Sequence, residues 1–405
     1  MRRKVVVLNH FAVPLGAPGG TRHVELFSRL VDWDATVIAG NKNMLTQEPQ
    51  ASGSGQLYRT VWVSPFKTNG ISRVLNWVSY VVTATPVALL RRRLDLVYAS
   101  SPHLLTALAG WLVARIRRVP YVVEIRDLWP EILVDMGGMS RQSPIFRTLE
   151  ALEGFIYRHA DLIVVLAAGS VAAIENRGVS SERIVFIPNG ADPEDFDVKV
   201  PRSELRARYG FDRFTLVYTG AHGPANGLGL LLDAAEELAD ENITFALVGD
   251  GVAKLDLIAE AKRRGLDNVL FLDPVPKSEI PELLAAADAG LHVLADVELF
   301  KYGVSPNKLF DYMAAGKPVI TNTGGDVADM VNEAGSGFAC ESTGITSAAR
   351  KMSSLSAPEL NTFGHAGRRY MSANRSRSGL AAQLEMHLDA VAGIPSGDSS
   401  TSSIA

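Results

Sequence analysis

The chain has 405 residues, 47% of them hydrophobic and 21% charged, a composition typical of a globular protein with two or three domains. Its one cysteine, Cys340, excludes a disulfide framework and predicts a reducing, cytoplasmic compartment. The net charge is −4, but residues 1–192 hold 21 Lys and Arg against 15 Asp and Glu. Because no basic stripe interleaved with aromatic residues accompanies this basic half, we expect no nucleic-acid partner.

Short apolar, β-branched runs alternate with helical patterns along the chain, which predicts parallel α/β sheets. The first run follows basic residues but ends after four residues at Asn9, so we interpret it as a strand rather than a signal peptide. The predicted strands are Lys4–Leu8, Ala35–Ala39, Leu57–Val63, Leu96–Ala99, Tyr121–Glu124, Leu162–Leu166, Ile184–Ile187, Thr215–Tyr218, Thr244–Val248, Val269–Leu272, Gly290–Val293, Val319–Thr321 and Gly337–Ala339.

Turn residues cluster at Pro188–Asp192, and the alternation of strands and helices restarts after them. We therefore predict a first domain over residues 1–192 and a second domain over residues 193–367. A last helical stretch at about 368–392 is expected to pack back on the first domain. The Ser- and Gly-rich residues 393–405 are expected to be disordered.

Ligands of doubly wound sheets bind at the carboxyl ends of the strands, and two such ends in the first domain carry suitable residues. Gly19 and Gly20 lead into an amphipathic helix, where backbone N–H groups can approach an anion or a sugar closely; a flexible turn is the alternative. Arg126 and Asp127 follow another strand. They suit a substrate hydroxyl and a phosphate; a local salt bridge beside a buried Trp129 is the alternative.

Two strand ends in the second domain carry comparable residues. Gly220 begins a glycine-dense turn in which His222 either donates to a phosphate or a sugar or is merely exposed. Farther on, Ser305 and a proline start a helix whose free N–H groups at Asn307 and Lys308 face whatever lies in front of it. Asp311, three residues after Lys308, can accept two hydroxyl hydrogen bonds, as a ribose offers. Helix capping accounts for Ser305 but not for an aligned lysine and aspartate.

The segment Val74–Leu90 contains 17 residues without a charge and is followed at once by Arg91–Arg93. It falls short of the ~20 continuous apolar residues that a membrane span requires. We therefore predict a helix over about residues 74–93 that lies on an anionic membrane surface, with its arginines on the head groups. The alternative is a buried helix that lines an acceptor groove.

In order and spacing, the motifs over about residues 4–390 resemble those of retaining family-4 glycosyltransferases of the GT-B fold. Within that family the chain is most similar to the L-fucosamine-transferase-like branch, which assembles bacterial surface polysaccharides. The segments that carry the resemblance are Gly19–Gly20, Arg126–Pro130, Ile187–Gly190, Tyr218–Gly220, Gly227–Leu228, Val248–Gly251, Phe271–Pro276, Ser305–Lys308 and Asp311–Val319.

The resemblance implies two doubly wound Rossmann-like domains that face each other across a cleft. It implies a transfer, with retention, from a nucleotide-diphospho-sugar, UDP-linked by preference, to a lipid-linked or saccharide acceptor, without a cofactor or metal. The implied acceptor-binding residues are Thr21, Arg22 and Trp129, and the implied catalytic residues are Arg126, Asp127 and Lys308. The implied donor-binding residues are Gly19, Gly20, Gly220, His222, Gly249, Val275, Ser305, Asn307, Lys308 and Asp311.

The chain departs from the family pattern where charge is expected. The usual E-x7-E pair falls on Gly303 and Asp311, and two cations that flank the diphosphate in the family fall on Ala221 and Asn226. Arg126 replaces the usual histidine. We therefore expect Arg126 and Lys308, helped by His222, to carry the phosphate charge.

Other functions are weighed against this one. Asp195 and Asp197 have the D-x-D spacing of metal-dependent transferases but lie in a linker, so we expect no metal there. A sugar-nucleotide 2-epimerase shares the two-domain architecture but needs no acceptor, and the basic first half disfavours it. A non-catalytic protein that binds a nucleotide sugar stays open, because the first glutamate and both cations are missing.

Overall fold

A computed structural model describes residues 2–17, 19–44, 46–53, 55, 57–66, 70–135, 139–296 and 306–393. The chain divides into two compact units, of which the first comprises the residues up to Pro188 and those from Ser378 onward. The second runs from Asn189 to Arg377. The division therefore falls within the turn segment at which the sequence predicts the domain boundary.

The first unit contains a parallel sheet of seven strands in the order β3-β2-β1-β4-β5-β6-β7. Its strands are β1 (Arg3–Leu8), β2 (Trp33–Gly40), β3 (Tyr58–Val61), β4 (Leu96–Ser101), β5 (Tyr121–Ile125), β6 (Leu162–Val165) and β7 (Ile184–Phe186). The chain leaves β1 toward β2 on one side and returns to β4 on the other. Such a reversal of strand order marks the place where doubly wound sheets bind ligands.

Apolar side chains cover both faces of this sheet, because the side chains of a strand alternate between faces. Val5 and Val7 join one core, whereas Val6 and Leu8 join the other. The helices that connect the strands are α1 (Arg22–Phe27), α2 (Ile71–Leu89), α3 (Leu104–Arg117), α4 (Glu131–Asp135), α5 (Pro144–His159) and α6 (Gly169–Glu175).

The second unit contains a parallel sheet of six strands in the order β10-β9-β8-β11-β12-β13. Its strands are β8 (Phe214–Thr219), β9 (Ile243–Val248), β10 (Val269–Leu272), β11 (Ala289–His292), β12 (Val319–Thr321) and β13 (Gly337–Ala339). Its helices are α7 (Arg202–Tyr209), α8 (Gly229–Glu237), α9 (Lys254–Arg264), α10 (Ile280–Ala286), α11 (Asn307–Ala314), α12 (Asp326–Ala334), α13 (Ile345–Ser353) and α14 (Ala357–Asn374). Every predicted strand has its counterpart in one of the two sheets.

The C-terminal stretch differs from the single helix predicted at about 368–392. It consists of the end of α14 and a separate helix, α15 (Arg377–Val391), and the chain changes unit where α15 begins. Leu380, Leu384 and Leu388 of α15 belong to the same core as Val5 of β1. Residues 394–405 of the predicted tail lie outside the described residues.

Among the helices that the structure describes, none combines the length and the hydropathy that crossing a bilayer requires. The longest of the charge-poor helices, α2, buries only Asn76, Tyr80, Ala84 and Ala88. These residues recur every four positions, so they form one stripe along the helix.

Helices α11 and α14 approach each other through two glycines. A Cβ atom added at Gly364 of α14 would lie 2.0 Å from the carbonyl oxygen of Gly316, just after α11. No such contact exists in real structures, so the backbones would have to separate. Gly229, at the start of α8, has no atom within 4 Å of an added Cβ.

We therefore predict that Gly364→Ala destabilises the second unit by about 1–3 kcal/mol, because overpacking outweighs the ~1 kcal/mol by which alanine normally favours a helix over glycine. Gly229→Ala, as the matched control, leaves stability unchanged or slightly raised. Thermal denaturation followed by circular dichroism measures both. An unchanged or higher melting temperature for Gly364→Ala would contradict the close packing of α11 on α14.

Candidate functional site

The carboxyl ends of β8 and β9 meet backbone to backbone. Gly220 follows β8 with φ 138°, and Gly249 follows β9 with φ 147°. A Cβ atom at Gly249 would lie 1.9 Å from the carbonyl oxygen of Gly220, and one at Gly251 would lie 2.5 Å from that of His222. Only glycine satisfies both the dihedral angles and the close approach. The two turns thus form a floor of bare backbone, the kind of surface that phosphates approach closely.

The ammonium group of Lys308 lies over this floor. Its Nζ donates to the hydroxyl of Tyr218 at 2.7 Å and lies 4.0 Å from the centroid of that ring. The Tyr218 hydroxyl donates to the carbonyl of Ala221 at 2.8 Å, so its oxygen is free to accept from Lys308. An added Cβ at Gly220 would be 3.3 Å from Nζ. Burial lowers the pKa of the Lys308 ammonium to about 7.

Sequence analysis did not identify Tyr218 as a site residue, because it closes a strand and resembles an ordinary core position. It is fully buried, and the backbone amide of its neighbour Thr219 donates a hydrogen bond of 2.8 Å to the Tyr312 hydroxyl of α11. Tyr312 follows Asp311 on α11 and belongs to a hydrophobic core of the second unit. These contacts fix the start of α11, and hence Lys308, to the end of β8.

Asn307 and Asp311 lie on α11 with Lys308. Asn307 is exposed at the first position of the helix and Asp311 is half-buried. Gly303 and Ser305 lie outside the described residues, so the predicted role of Ser305 stays a prediction. Asp311 follows Lys308 by three residues of continuous helix, which places both side chains on neighbouring positions of one face.

His222 is buried rather than exposed. Among the described residues, neither of its ring nitrogens has a hydrogen-bond partner. Burial and then the Lys254 ammonium lower the pKa of His222, so the imidazole is neutral near pH 7. Lys254 itself donates to the Gly249 carbonyl at 2.9 Å and to Asp273 at 2.9 Å, and so fastens the second glycine turn. Its role has no local sequence signal.

Arg22 belongs to a buried network at the carboxyl ends of the first sheet. Its Nε donates to Glu124 at 3.0 Å, and its two terminal nitrogens donate to the carbonyls of Ile187 and Pro188, both at 2.6 Å. Glu124 of β5 is fully buried. Burial alone would raise the pKa of Glu124, but His23 and Arg22 hold it well below its usual range.

Thr21, another predicted acceptor residue, directly precedes Arg22 in the chain. The Thr21 hydroxyl donates to the Glu25 carboxylate, one turn along α1, at 2.7 Å. The acceptor role predicted for Thr21 and Arg22 stays a prediction, and the structure shows that the Arg22 guanidinium already has three partners within its own domain.

Arg126, Asp127 and Trp129 follow β5 as predicted. Arg126 is half-buried, and one of its terminal nitrogens lies 3.8 Å from the position of a Cβ at Gly20. Asp127 is exposed. Trp129 is buried with its ring edge-on to Trp77 at 5.8 Å, and its indole nitrogen has no hydrogen-bond partner among the described residues. The glycine loop and the Arg126 segment are thus brought together.

Two histidines that sequence analysis passed over meet where the strand order reverses. His10 follows β1 and His103 follows β4, and their rings share a hydrogen bond of 2.9 Å between Nδ1 of His10 and Nε2 of His103. Burial, and then the cation Arg73, lower the pKa of His10 to about 3. The His103 ring stacks on Trp77 at 4.8 Å. Polar residues directly after strands at the switch point were the signal available for them.

The D-x-D segment is engaged in ion pairs. Asp195 lies 2.7 Å from Arg377, and Asp197 lies 2.6 Å from Arg368. Within the described part of the chain, no group of three or more His, Cys, Asp or Glu side chains is arranged to hold a metal ion.

Two family models match the chain, one in each half. Residues 19–190 match the glycosyl transferase 4-like domain, and residues 213–357 match glycosyl transferases group 1. The chain therefore carries the two domains of a glycosyltransferase, and the two parallel α/β units confirm the predicted GT-B class.

Individual relatives agree with this assignment. The chain is 26% identical over 318 residues to the probable glycosyltransferase WbjE of Pseudomonas aeruginosa, covering 76% of this chain and 77% of that one. It is 25% identical over 274 residues to WcaI of Escherichia coli strain K12, named for colanic acid biosynthesis, covering 65% and 66%. The fold matches Anabaena HepE, solved in complex with UDP, with a TM-score of 0.71 and 20% identity, over 96% of this chain and 100% of that one.

We predict that Arg22→Met destabilises the first unit, because it removes the arginine that is ion-paired with the buried Glu124 carboxylate. Removing one partner of a buried ion pair costs about 3–5 kcal/mol, or roughly 10 °C in melting temperature. Arg263→Met, which breaks an exposed pair with Glu260, is the control and leaves the melting temperature nearly unchanged. If Arg22→Met melts like the parent protein but loses acceptor binding, Arg22 is a ligand-binding residue instead.

Proposed function

We propose that the protein transfers a sugar from a UDP-linked donor to a lipid-linked or saccharide acceptor in the assembly of a surface polysaccharide or glycoconjugate. An N-acetylamino sugar is our candidate for the transferred group. The observation that carries the proposal is the Lys308 ammonium, which lies over the bare backbone of the Gly220 turn and, among the described residues, has no carboxylate partner.

A half-buried cation without a counter-ion favours an anionic ligand. Moving an ammonium out of water costs several kcal/mol unless an opposite charge compensates it. The diphosphate of a nucleotide sugar supplies two such charges next to glycine turns whose backbone it can approach. We propose that Asp311, farther along α11, accepts hydrogen bonds from the ribose hydroxyls of the same ligand.

The names of similar proteins support the choice of donor and pathway. HepE was solved with UDP and, separately, with UDP-glucose. WcaI is named for colanic acid biosynthesis. From these we infer a uridine nucleotide and an acceptor in polysaccharide assembly for this chain.

Negative charge on the departing UDP increases as the glycosidic bond breaks. Lys308 and the glycine turns would stabilise that charge more in the transition state than in the ground state, which is the condition for catalysis. Arg126 is our candidate for a second cation, and Asp127 for orienting the acceptor hydroxyl. We propose transfer with retention and without a metal ion, since both carboxylates of the D-x-D segment are held by arginines.

We also propose that the first domain attaches to the inner face of the plasma membrane. Opposite its buried stripe, α2 exposes Leu75 (57%) and Val82 (64%), and the chain continues into exposed Leu90 (84%). An apolar helix face bordered by arginines suits an anionic bilayer, where a lipid-linked acceptor would be found.

A turnover assay tests the proposal and its alternatives together. Purified protein is incubated with UDP-sugars, with and without a lipid-linked saccharide acceptor, and released UDP and product anomer are measured. We expect UDP release only with acceptor, an anomeric configuration equal to that of the donor, and no effect of a chelator. Epimerised donor without acceptor would identify a 2-epimerase, and donor binding without turnover in either arm would identify a non-catalytic binding protein.

We predict that Lys308→Ala lowers kcat tenfold or more with a smaller effect on KM, because the ammonium acts on charge that develops during bond cleavage. Asp311→Asn keeps the shape but weakens acceptance from two hydroxyls, so its main effect is a higher donor KM. Melting temperatures verify that both variants fold. Parental activity in both variants, with activity lost in Arg126→Ala, would place the donor site elsewhere.

A further inference from the structure

A cationic hollow lies at the amino ends of β1 and β2. Its volume is about 830 Å³, and the uncharged residues that line it include Val5 and Ala35. The charged side chains around it are Arg2, Lys4, Arg91, Arg92, Arg93 and Asp34. Five cations and one carboxylate give the hollow a net positive charge. The cations repel one another, and an anion bound among them would offset this repulsion.

Nearby carboxylates balance two of the five cations. Arg2 lies 3.7 Å from Asp34, and Arg93 lies 3.3 Å from Asp95. Both arginines are substantially exposed, so these pairs contribute little to stability.

Among the residues that the structure describes, the other three cations have no carboxylate partner. Arg91 donates to the hydroxyl of Thr36, and burial followed by the charge of Arg59 lowers its pKa. In the part of the chain that the structure describes, the side chains of Lys4 and Arg92 have neither a hydrogen-bond nor an ion-pair partner. An anion bound in the hollow would therefore lie near Lys4, Arg91 and Arg92, whose charges no described carboxylate compensates.

The position of the hollow separates it from the reaction. The predicted catalytic segments of the first domain follow the carboxyl ends of its strands, whereas Lys4 and Asp34 lie at the opposite ends. A six-residue strand spans about 20 Å, so the hollow is separate from the predicted catalytic segments at the carboxyl ends of the strands. It lies instead where α2 ends, beside the exposed apolar face that continues to Leu90.

We propose that this hollow binds the phosphodiester head group of an anionic phospholipid. The proposal rests on the membrane attachment proposed above and specifies it. The exposed face of α2 enters the acyl boundary of the bilayer, and the head group of a lipid beside it enters the hollow between Lys4, Arg91 and Arg92. Phospholipids match the site because the apolar face and the cations adjoin, whereas a free phosphate would use the cations alone.

The test compares binding of the full chain to vesicles of phosphatidylcholine alone and of phosphatidylcholine with phosphatidylglycerol. Lys4→Ala with Arg92→Ala removes the two unpartnered cations without breaking an internal pair. We expect it to weaken binding to the anionic vesicles by about fivefold per charge, roughly 25-fold together, and to leave binding to phosphatidylcholine unchanged. Lys262→Ala with Arg369→Ala, two cations of the second unit, is the charge-matched control and has no effect.

A second pair separates this site from the attachment itself. Leu75→Gln with Val82→Gln weakens binding to both kinds of vesicle, and Ile145→Gln with Leu255→Gln, at equally exposed positions elsewhere, does not. Parental binding of Lys4→Ala with Arg92→Ala to anionic vesicles would overturn the head-group site while leaving the attachment intact. Release of the protein by millimolar inorganic phosphate would overturn it in favour of a free-phosphate site. If the parent chain binds neither vesicle, both proposals are wrong.

Discussion

The ammonium of Lys308 is held in a place where a positive charge is costly, and the candidate donor site depends on that arrangement. Its partners among the described residues are a hydroxyl and an aromatic face, both from Tyr218, and burial brings its pKa to about 7. Cation–π contacts and neutral hydrogen bonds compensate only part of the cost of removing such a charge from water. An anion that enters over Gly220 would restore the full charge and recover the rest.

The two domains differ in how polar groups at the ends of their strands are satisfied. In the first, Arg22 donates one hydrogen bond to Glu124 and two more to backbone carbonyls, so both charges are satisfied without a ligand. In the second, neither Lys308 nor the imidazole of His222 has a polar partner that matches it among the described residues, apart from the Tyr218 hydroxyl. A satisfied network stabilises a fold, whereas unsatisfied groups at strand ends favour ligand binding.

The sequence predicted the strands well because each is a short β-branched run between turns, and it predicted the helix of Lys308 because a Ser-Pro turn precedes it. It failed where the partner is distant in sequence. Glu124 lies 102 residues from Arg22, and no local pattern shows that they meet. His222 is buried because Gly251 brings another backbone against it. The break between α14 and α15 has no Gly or Pro to mark it.

Binding of UDP as a function of pH tests whether Lys308 is the cation that binds the nucleotide. Calorimetric titrations of the parent chain and of Lys308→Arg from about pH 6.5 to about pH 9 would be compared, since arginine keeps its charge throughout this range. We predict that the affinity of the parent chain for UDP falls as the pH rises through about 7, approaching tenfold per pH unit, and that binding takes up one proton. The affinity of Lys308→Arg for UDP does not fall in this way. Equal pH profiles for the two proteins would contradict the role of Lys308 as the cation of the nucleotide site.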